Sequence, residues 1–414
     1  MIWISGLVMI ALAMYLVLRL PVSDRGLFIA GLAAKCVAGI ALGVVYFYYY
    51  DGHGDTLQYW EESATLSARM VNPAEAWNIL WSDLPDPSLV AQGVHGVPRS
   101  FFFSKIAAIV SWLSGGNYWI MSVVFSFVSF IAAWTLFTRL QAYRVSAAAA
   151  LFFFPSVVFW SSGLIKECLG LAAIYVVVSL FLDLYRNGRI SYYQIVIGLL
   201  GIWVGWNLKY YWLGILAPVL LAVLVVAFLK RWRHSLQSHE MTLGGVALAV
   251  MMVVATGGHP NFYPDRIASV IVESNAAFIR FSDPPGVIHF GNLQPTAWSL
   301  AVHAPEALFA CLFRPCLGEA SDLLSWLAAI ENAVVFLLLL SALRSVGQGW
   351  KSPERLLVGA TAIYVTLLAI FLALSSPNLG TLSRYKVGFL PFLVLLLLEA
   401  NPGIRKALGR LIPG

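Results

Sequence analysis

LLVGATAIYVTLLAIFLAL, residues 356–374, runs nineteen residues without a charge. A helix crossing the hydrocarbon core of a bilayer needs about 20 predominantly apolar residues, so this stretch predicts a membrane span. Ten further runs share its character: Trp3–Leu20, Leu27–Tyr50, Tyr118–Phe137, Ala147–Trp160, Leu169–Leu184, Tyr193–Trp206, Tyr211–Leu229, Leu243–Thr256, Ser325–Leu343 and Val387–Leu398. The composition agrees. Of the 414 residues, 60% are apolar and 11% charged, with a mean hydropathy of +0.81, whereas soluble chains carry about 25% charge. No single water-soluble core hides so much apolar side chain, because cores stop growing near roughly 250–300 residues. The chain is therefore predicted to be an all-α polytopic membrane protein of eleven spans, treated as one membrane domain. A soluble enzyme, a nucleic-acid module and a secreted disulfide scaffold are excluded. Cys36, Cys168, Cys311 and Cys316 are too few and too scattered for a disulfide framework.

Lys and Arg set the orientation, since they favour the cytoplasmic side of short loops. Arg19, Arg25, Arg139, Arg144, Arg186, Arg189, Lys230, Arg231, Arg233, Arg344, Lys351, Arg355, Arg405, Lys406 and Arg410 fall on one face, fifteen of the 26 basic residues. That face is predicted to be cytoplasmic, with the N-terminus outside and the C-terminus inside. Trp3–Leu20 lacks a basic leader and a small-residue cleavage site, and so reads as a span rather than a signal peptide.

Two long segments then face outward, Asp51–Asn117 and Gly257–Asp322, and both are acidic. In the first, PAEAWNILW and FFFSKIAAIVSWL have helical periodicity but are too short to span, which predicts interfacial helices with Trp and Phe at headgroup depth. LPDPSLVAQGVHGVP between them reads as irregular.

The densest polar cluster is DGHGDTLQYWEE, residues 51–62, where the second span leaves the membrane. Gly52 and Gly54 permit a sharp turn, and a helix from Asp55 puts Asp55, Tyr59 and Glu62 on one face. A carboxylate at the hydrocarbon rim is partly desolvated, which raises its basicity and suits it to take a proton from a sugar hydroxyl. Asp55 would equally serve as the helix N-cap. Lys166 and Glu167 interrupt a nearly continuous apolar stretch in FPSVVFWSSGLIKE, residues 154–167. Ionisable groups at such a depth are costly, so Lys166 either binds a lipid phosphate or pairs with an outer carboxylate. In NLGTLSRYK, residues 378–386, Arg384 and Lys386 flank Tyr385 on the outer face, against the general bias, and together suit a diphosphate clamp. Arg314 is a further ligand candidate, or simply the partner of Glu319; Glu331 lies a third of the way into the ninth run, either as a bundle-interior partner of Asn332 or as part of the site. A divalent ion has at best a minimal site in His53 with Asp51 and Asp55. The sequence carries no Walker loop, dinucleotide fingerprint or nucleophile elbow.

A multispanning chain with an acidic Asp-x-x-x-Tyr segment in its first large outer loop, followed by interfacial helices, resembles the GT-C superfamily of membrane glycosyltransferases. The FPSVVFWSSGLIKE and SRYKVGFLPFL stretches look like those of bacterial members that use polyprenyl-phosphate sugars. The resemblance implies an enzyme of the cytoplasmic membrane, with its active site facing the periplasm or exterior and acting in cell-envelope polysaccharide synthesis. It implies inverting transfer, with Asp55 as base, Asp51 as the alternate, and Arg384 with Lys386 facing the lipid phosphate. Tyr59, Glu62, Lys166, Arg314 and Tyr385, read from the residues themselves, are the further candidate substrate contacts. The partners so implied are a lipid-linked sugar donor, a glycan, lipid or protein acceptor, and membrane lipids, without nucleic acid. In many members the acidic loop follows the first span, whereas here it follows the second, so either Trp3–Leu20 is an added helix or the subfamily differs.

Two rivals remain at the level of sequence. An O-antigen or exopolysaccharide polymerase or ligase would use arginines, and Arg280 with Gly291 has the Arg-x10-Gly spacing of such polymerases. A lipid-linked sugar flippase or transporter would place ionisable groups near the midplane in broken helices. Polar residues concentrated at one face favour an enzyme.

Overall fold

The computed structural model describes residues 2–232, 239–282, 286–345 and 354–412. Arg233 and Lys351, used above for orientation, and Asp283 lie outside the described residues. Regular structure among the described residues is helical, apart from one isolated antiparallel bridge between Val287 and Asn378. Seven of the described helices are long and apolar enough to cross a bilayer, or eight if the bent pair Leu379–Gly388 and Leu390–Glu399 counts as one span. The chain is an all-α polytopic membrane protein.

The count falls short of eleven for identifiable reasons. Ala147–Trp160 does not form one helix: α8 (Arg144–Ala148) runs on as a π turn to Phe153 and stops, and α9 (Pro155–Trp160) starts afresh. Pro155 lacks an N–H to donate and drives Phe154 into extended geometry, φ −72° and ψ 121°. Tyr193–Trp206 and Tyr211–Leu229 join in α11 (Tyr192–Trp232), 41 residues interrupted by non-helical geometry at Lys209, φ −143° and ψ 60°. Unbroken, such a helix would be about 60 Å long, twice the hydrocarbon thickness. Val387–Leu398 belongs to the pair bent by 68°. Trp3–Leu20 does form a helix, α1 (Ile2–Arg19).

The helices gather into two compact units, Met1–Tyr210 with Leu408–Gly414, and Tyr211–Ala407. In the first, α2 (Val22–Val44, continued by a π turn to Tyr49) packs on α7 (Tyr118–Phe137), and α7 packs on α10 (Lys166–Asn187). Small residues permit the approach: a Cβ at Gly39 would lie 2.2 Å from the Ser126 hydroxyl. Phe28, Phe130 and Trp134 fill the opposite half, with Phe28 meeting both other rings edge-on at 4.9 Å. Asp24 pairs with Arg144 at 2.8 Å, and Asp183 pairs with Arg139 at 2.9 Å while accepting from Gln194 at 2.6 Å. The starts of α2 and α11 and the ends of α7 and α10 therefore share one end of the unit, as the cation pattern predicts.

The acidic segment of the first unit is more ordered and more buried than its composition suggests. It folds as α3 (Asp55–Arg69), α4 (Pro73–Trp81), α5 (Pro87–Ala91) and α6 (Pro98–Ser114). Trp77 and Trp81 of α4 are exposed, as an interfacial helix requires. The α6 helix departs from that expectation. Phe101, Phe102 and Phe103 are all buried, because α6 packs against α3, α1 and α7 inside the unit. Lys105 donates to the Leu80 and Ser82 carbonyls at 3.1 and 2.8 Å, satisfying the free end of α4, and burial pushes its ammonium pKa down.

The second unit contains α12 (Glu240–Ala255), α13 (Ile267–Phe281), α14 (Ala297–Phe313), α15 (Leu323–Ala342), α16 (Arg355–Ser375), α17 (Leu379–Tyr385) and α18 (Leu390–Glu399). At its centre α16 packs against α12, α13, α14 and α18. At one end Glu240 joins Lys230 and Arg355. At the other, the carbonyls left over at the end of α16 are satisfied: Ser375 O by Ser274 Oγ at 2.8 Å, and Leu374 O by Asn275 Nδ2 at 2.7 Å. Cysteines placed at Ser88 and Ser282 are expected to react with an impermeant maleimide from the same, outer side. Labelling from opposite sides would contradict the orientation drawn from the cations.

Candidate functional site

The polar end of the first unit is built by a turn and two helices. Asp51 has a left-handed φ of 48°, followed by Gly52 at 78° and Gly54 at 124°. A side chain at Gly54 would be strained and would meet the Tyr46 ring at 2.3 Å, which is why the turn needs glycine there. Gly54, not Asp55, is the N-cap of α3; Asp55 stands in the first helical turn, where the helix dipole favours a carboxylate. Asp51 is exposed and Asp55 half-buried.

As the spacing predicts, Tyr59 and Glu62 turn to one side of α3, and both are buried. Tyr59 donates to Ser100 Oγ at 3.3 Å, and Lys166 Nζ donates to the same oxygen at 3.1 Å. The Lys166 ammonium lies 5.4 Å from the Tyr59 ring centre. Asp55 is one turn away on the face that carries Tyr59, so Asp55, Tyr59 and Lys166 gather at one end of the unit. Glu62, expected as a substrate contact, is 3% exposed. Its carboxylate is engaged by Ser104 Oγ, by His95 N at 3.0 Å and by the His95 ring, which places it behind Tyr59 as a support.

The cluster extends to Glu167, which the sequence marks but whose partner it does not show, and to residues that sequence reasoning missed. Glu167 pairs with Lys209 at 2.8 Å, both side chains being almost fully buried. Arg99 is exposed, its guanidinium 5.4 Å from the Tyr210 ring centre. The cation pattern predicts Lys209, between two apolar runs, on the same face as Arg384, so the signal that singles out Arg384 also marks it. Thr56, next to Asp55, shares a hydrogen bond of 2.8 Å with the Tyr118 hydroxyl. Tyr118 lines a groove of about 510 Å³ together with Phe47, Tyr48, Trp60, Asn117 and Trp119. Trp60 Nε1 donates to Gly116 O at 2.8 Å, fixing one wall.

The remaining candidates belong to the second unit, and they do not form the expected clamp. Lys386 is 2% exposed and donates to Asn332 Oδ1, beside the buried Glu331; Asn332 in turn donates to Pro315 O at 3.1 Å. The turn Lys386–Gly388 after α17 carries the lysine inward, while Arg384 stays half-buried with its guanidinium 5.3 Å from the Tyr385 ring centre. Lys386 is thus a bundle-interior cation, and ionisable groups do occur inside the spans. Arg314 pairs with Glu319 at 2.5 Å. Partial burial alone would raise the Glu319 pKa, but Arg314 and the Cys316 N–H outweigh it and hold the carboxyl below its usual range. All four cysteines are free. Among the described residues no three His, Cys, Asp or Glu side chains gather as metal ligands.

His303 has an unusual environment. Its Nδ1 lies 2.8 Å from Ser299 O and its Nε2 2.8 Å from Gly291 O. Only the imidazolium donates at both positions, so these carbonyls, with Glu306 nearby, raise its pKa. The stability this supplies is full below the unfolded value and is lost as pH rises through the raised folded value. His303→Leu is expected to melt below wild type at about pH 6, and the gap should narrow as pH rises through the raised folded value. A gap independent of pH would contradict the double-donor assignment.

No family model, no curated protein and no solved structure matches this chain.

Proposed function

We propose that the protein transfers a sugar from a polyprenyl-phosphate donor to a glycan, lipid or protein acceptor, at the outer face of a bacterial cytoplasmic membrane. The reading is carried by the gathering of Asp55, Tyr59 and Lys166 at one end of the first unit, with Lys166 5.4 Å from the Tyr59 ring centre. Asp55 takes the proton of the acceptor hydroxyl, whose oxygen attacks the anomeric carbon from the face opposite the leaving group. The bond from that carbon to the phosphate oxygen breaks, its electron pair leaves with polyprenyl phosphate, and the anomeric centre inverts. Lys166 and Arg99 stabilise the charge that grows on the departing oxygen. The aromatic groove beside Thr56 offers flat rings to a sugar face, with Asn117 and Tyr118 as hydrogen-bond partners. Asp51, exposed on the preceding turn, is the alternate base.

The test is turnover of the full chain in lipid nanodiscs, with a panel of polyprenyl-phosphate monosaccharides and membrane glycans as acceptors. Acceptor-dependent release of polyprenyl phosphate with an inverted product is expected. A flippase would move the lipid without breaking that bond. A polymerase or ligase of the arginine type would require a diphosphate-linked glycan and would turn over without Asp55.

A further inference from the structure

Lys166 is reached through a break in the helical path. Between α9 and α10, Ser161–Ile165 is non-helical and entirely buried. Irregular backbone at membrane depth must find its hydrogen-bond partners within the protein. Lys35, fully buried in the middle of α2, meets the first residue of the break: Nζ donates to Ser161 O at 2.7 Å, to Ser161 Oγ, and to Ser129 Oγ at 3.1 Å. Ser129 Oγ also donates to Ser161 O at 2.8 Å. Two residues on, Gly163 has a left-handed φ of 75° and its N–H donates to Ser126 Oγ at 2.9 Å. Ser122 Oγ donates to Gly39 O at 2.8 Å, tying α7 to α2 beside the same break. The Ser122, Ser126, Ser129 and Ser161 hydroxyls all donate to backbone carbonyls. The network therefore fastens three segments together and provides no continuous path for a proton.

We propose that Lys35 is a positioning residue, pinning the Ser161–Ile165 turn and so fixing Lys166 at the polar end of the first unit. The inference rests on the reading of Lys166 as a contact to the donor phosphate. A lysine is a costly way to fill a span, and fold stability does not demand it. With Lys35 replaced by Met, Ser161 O still accepts from Ser129, so no buried acceptor is left unpaired. A methionine of similar length fills the space with apolar atoms and buries no polar group that needs a partner. What the lysine adds is geometry, since it gathers Ser129 of α7 and both oxygens of Ser161 onto one nitrogen.

Cys168 reports on the turn without any reference to catalysis. It lies two residues beyond Lys166, is fully buried, and its Sγ donates to Phe125 O at 3.3 Å. The full chain carrying Cys36→Ser, Cys311→Ala and Cys316→Ser would be reacted with N-ethylmaleimide. Lys35→Met is expected to raise Cys168 labelling roughly fivefold through local opening, with a melting temperature at or above that of the parent. Ser126→Ala, which frees Gly163 N, should raise it as well. In polyprenyl-phosphate sugar turnover, Lys35→Met should lower kcat/KM for the donor by about 10–10²-fold, the cost of a misplaced group. Lys35→Gln, which keeps one donor for Ser161 O, should recover part of both effects. Unchanged labelling in Lys35→Met and Ser126→Ala would overturn the inference, as would increased labelling accompanied by collapse of the melting temperature. Faster labelling at parental turnover would instead retain the pinned turn and overturn the role given to Lys166.

Discussion

Asp55→Asn is expected to lower sugar transfer by about 10²–10⁴-fold, the usual worth of a positioned general base, while donor binding and melting temperature stay near wild type. Asn has nearly the same shape, so it fits the first turn of α3 without repacking. Asp55 is half-buried and Gly54 already forms the N-cap, so the change removes about 0.3–1 kcal/mol of dipole interaction and no cap. Asp51→Asn is the informative comparison. Asp51 is exposed at a left-handed φ of 48°, a conformation that Asn tolerates well, so that variant should fold normally and retain most activity. The reverse order of losses, measured by release of polyprenyl phosphate, would move the base to Asp51.

Glu167→Ala is expected to cost about 3–5 kcal/mol, because it leaves the Lys209 ammonium buried without its carboxylate. The pair lies at the break in α11, where Lys209 has non-helical φ and ψ. Replacing both residues by Leu should regain most of that loss, since two apolar side chains need no mutual charge. Melting temperatures of Glu167→Leu, Lys209→Leu and the double Leu variant form the cycle that isolates the coupling. A small penalty for Glu167→Ala would show that Lys209 is solvated by other groups.

Apolar runs and their flanking cations reveal the helical membrane class, because hydropathy is local to each segment. The face of α3 was legible for the same reason: Asp55, Tyr59 and Glu62 recur at helical spacing. What those side chains meet was not legible. Ser100 and Ser104, which engage Tyr59 and Glu62, lie 41 and 42 residues further along the chain. Lys35 passed unnoticed inside an apolar run, since its partners at Ser129 and Ser161 are 94 and 126 residues away. The place of Lys386 in the sequence, at the edge of an apolar run, says nothing about direction, and one short turn points it at Asn332. The span count erred where single residues override hydropathy. Pro155 ends a helix that the apolar run would continue, and Lys209 breaks one whose pieces had been read as separate spans.

Photoaffinity labelling puts the proposed site to a direct test, with a polyprenyl-phosphate analogue bearing a diazirine next to the phosphate and the full chain in lipid nanodiscs. Adducts mapped by mass spectrometry are expected on the start of α3, on Arg99 or Ser100, and on Lys166, and excess unlabelled polyprenyl phosphate should suppress them. Asp55→Asn should label as wild type does, since it retains donor binding, whereas Lys166→Met should lose the adducts. Competable labelling confined to the second unit, or labelling of the first unit that persists unchanged in Lys166→Met, would contradict the assignment of the donor phosphate to this end of the first unit.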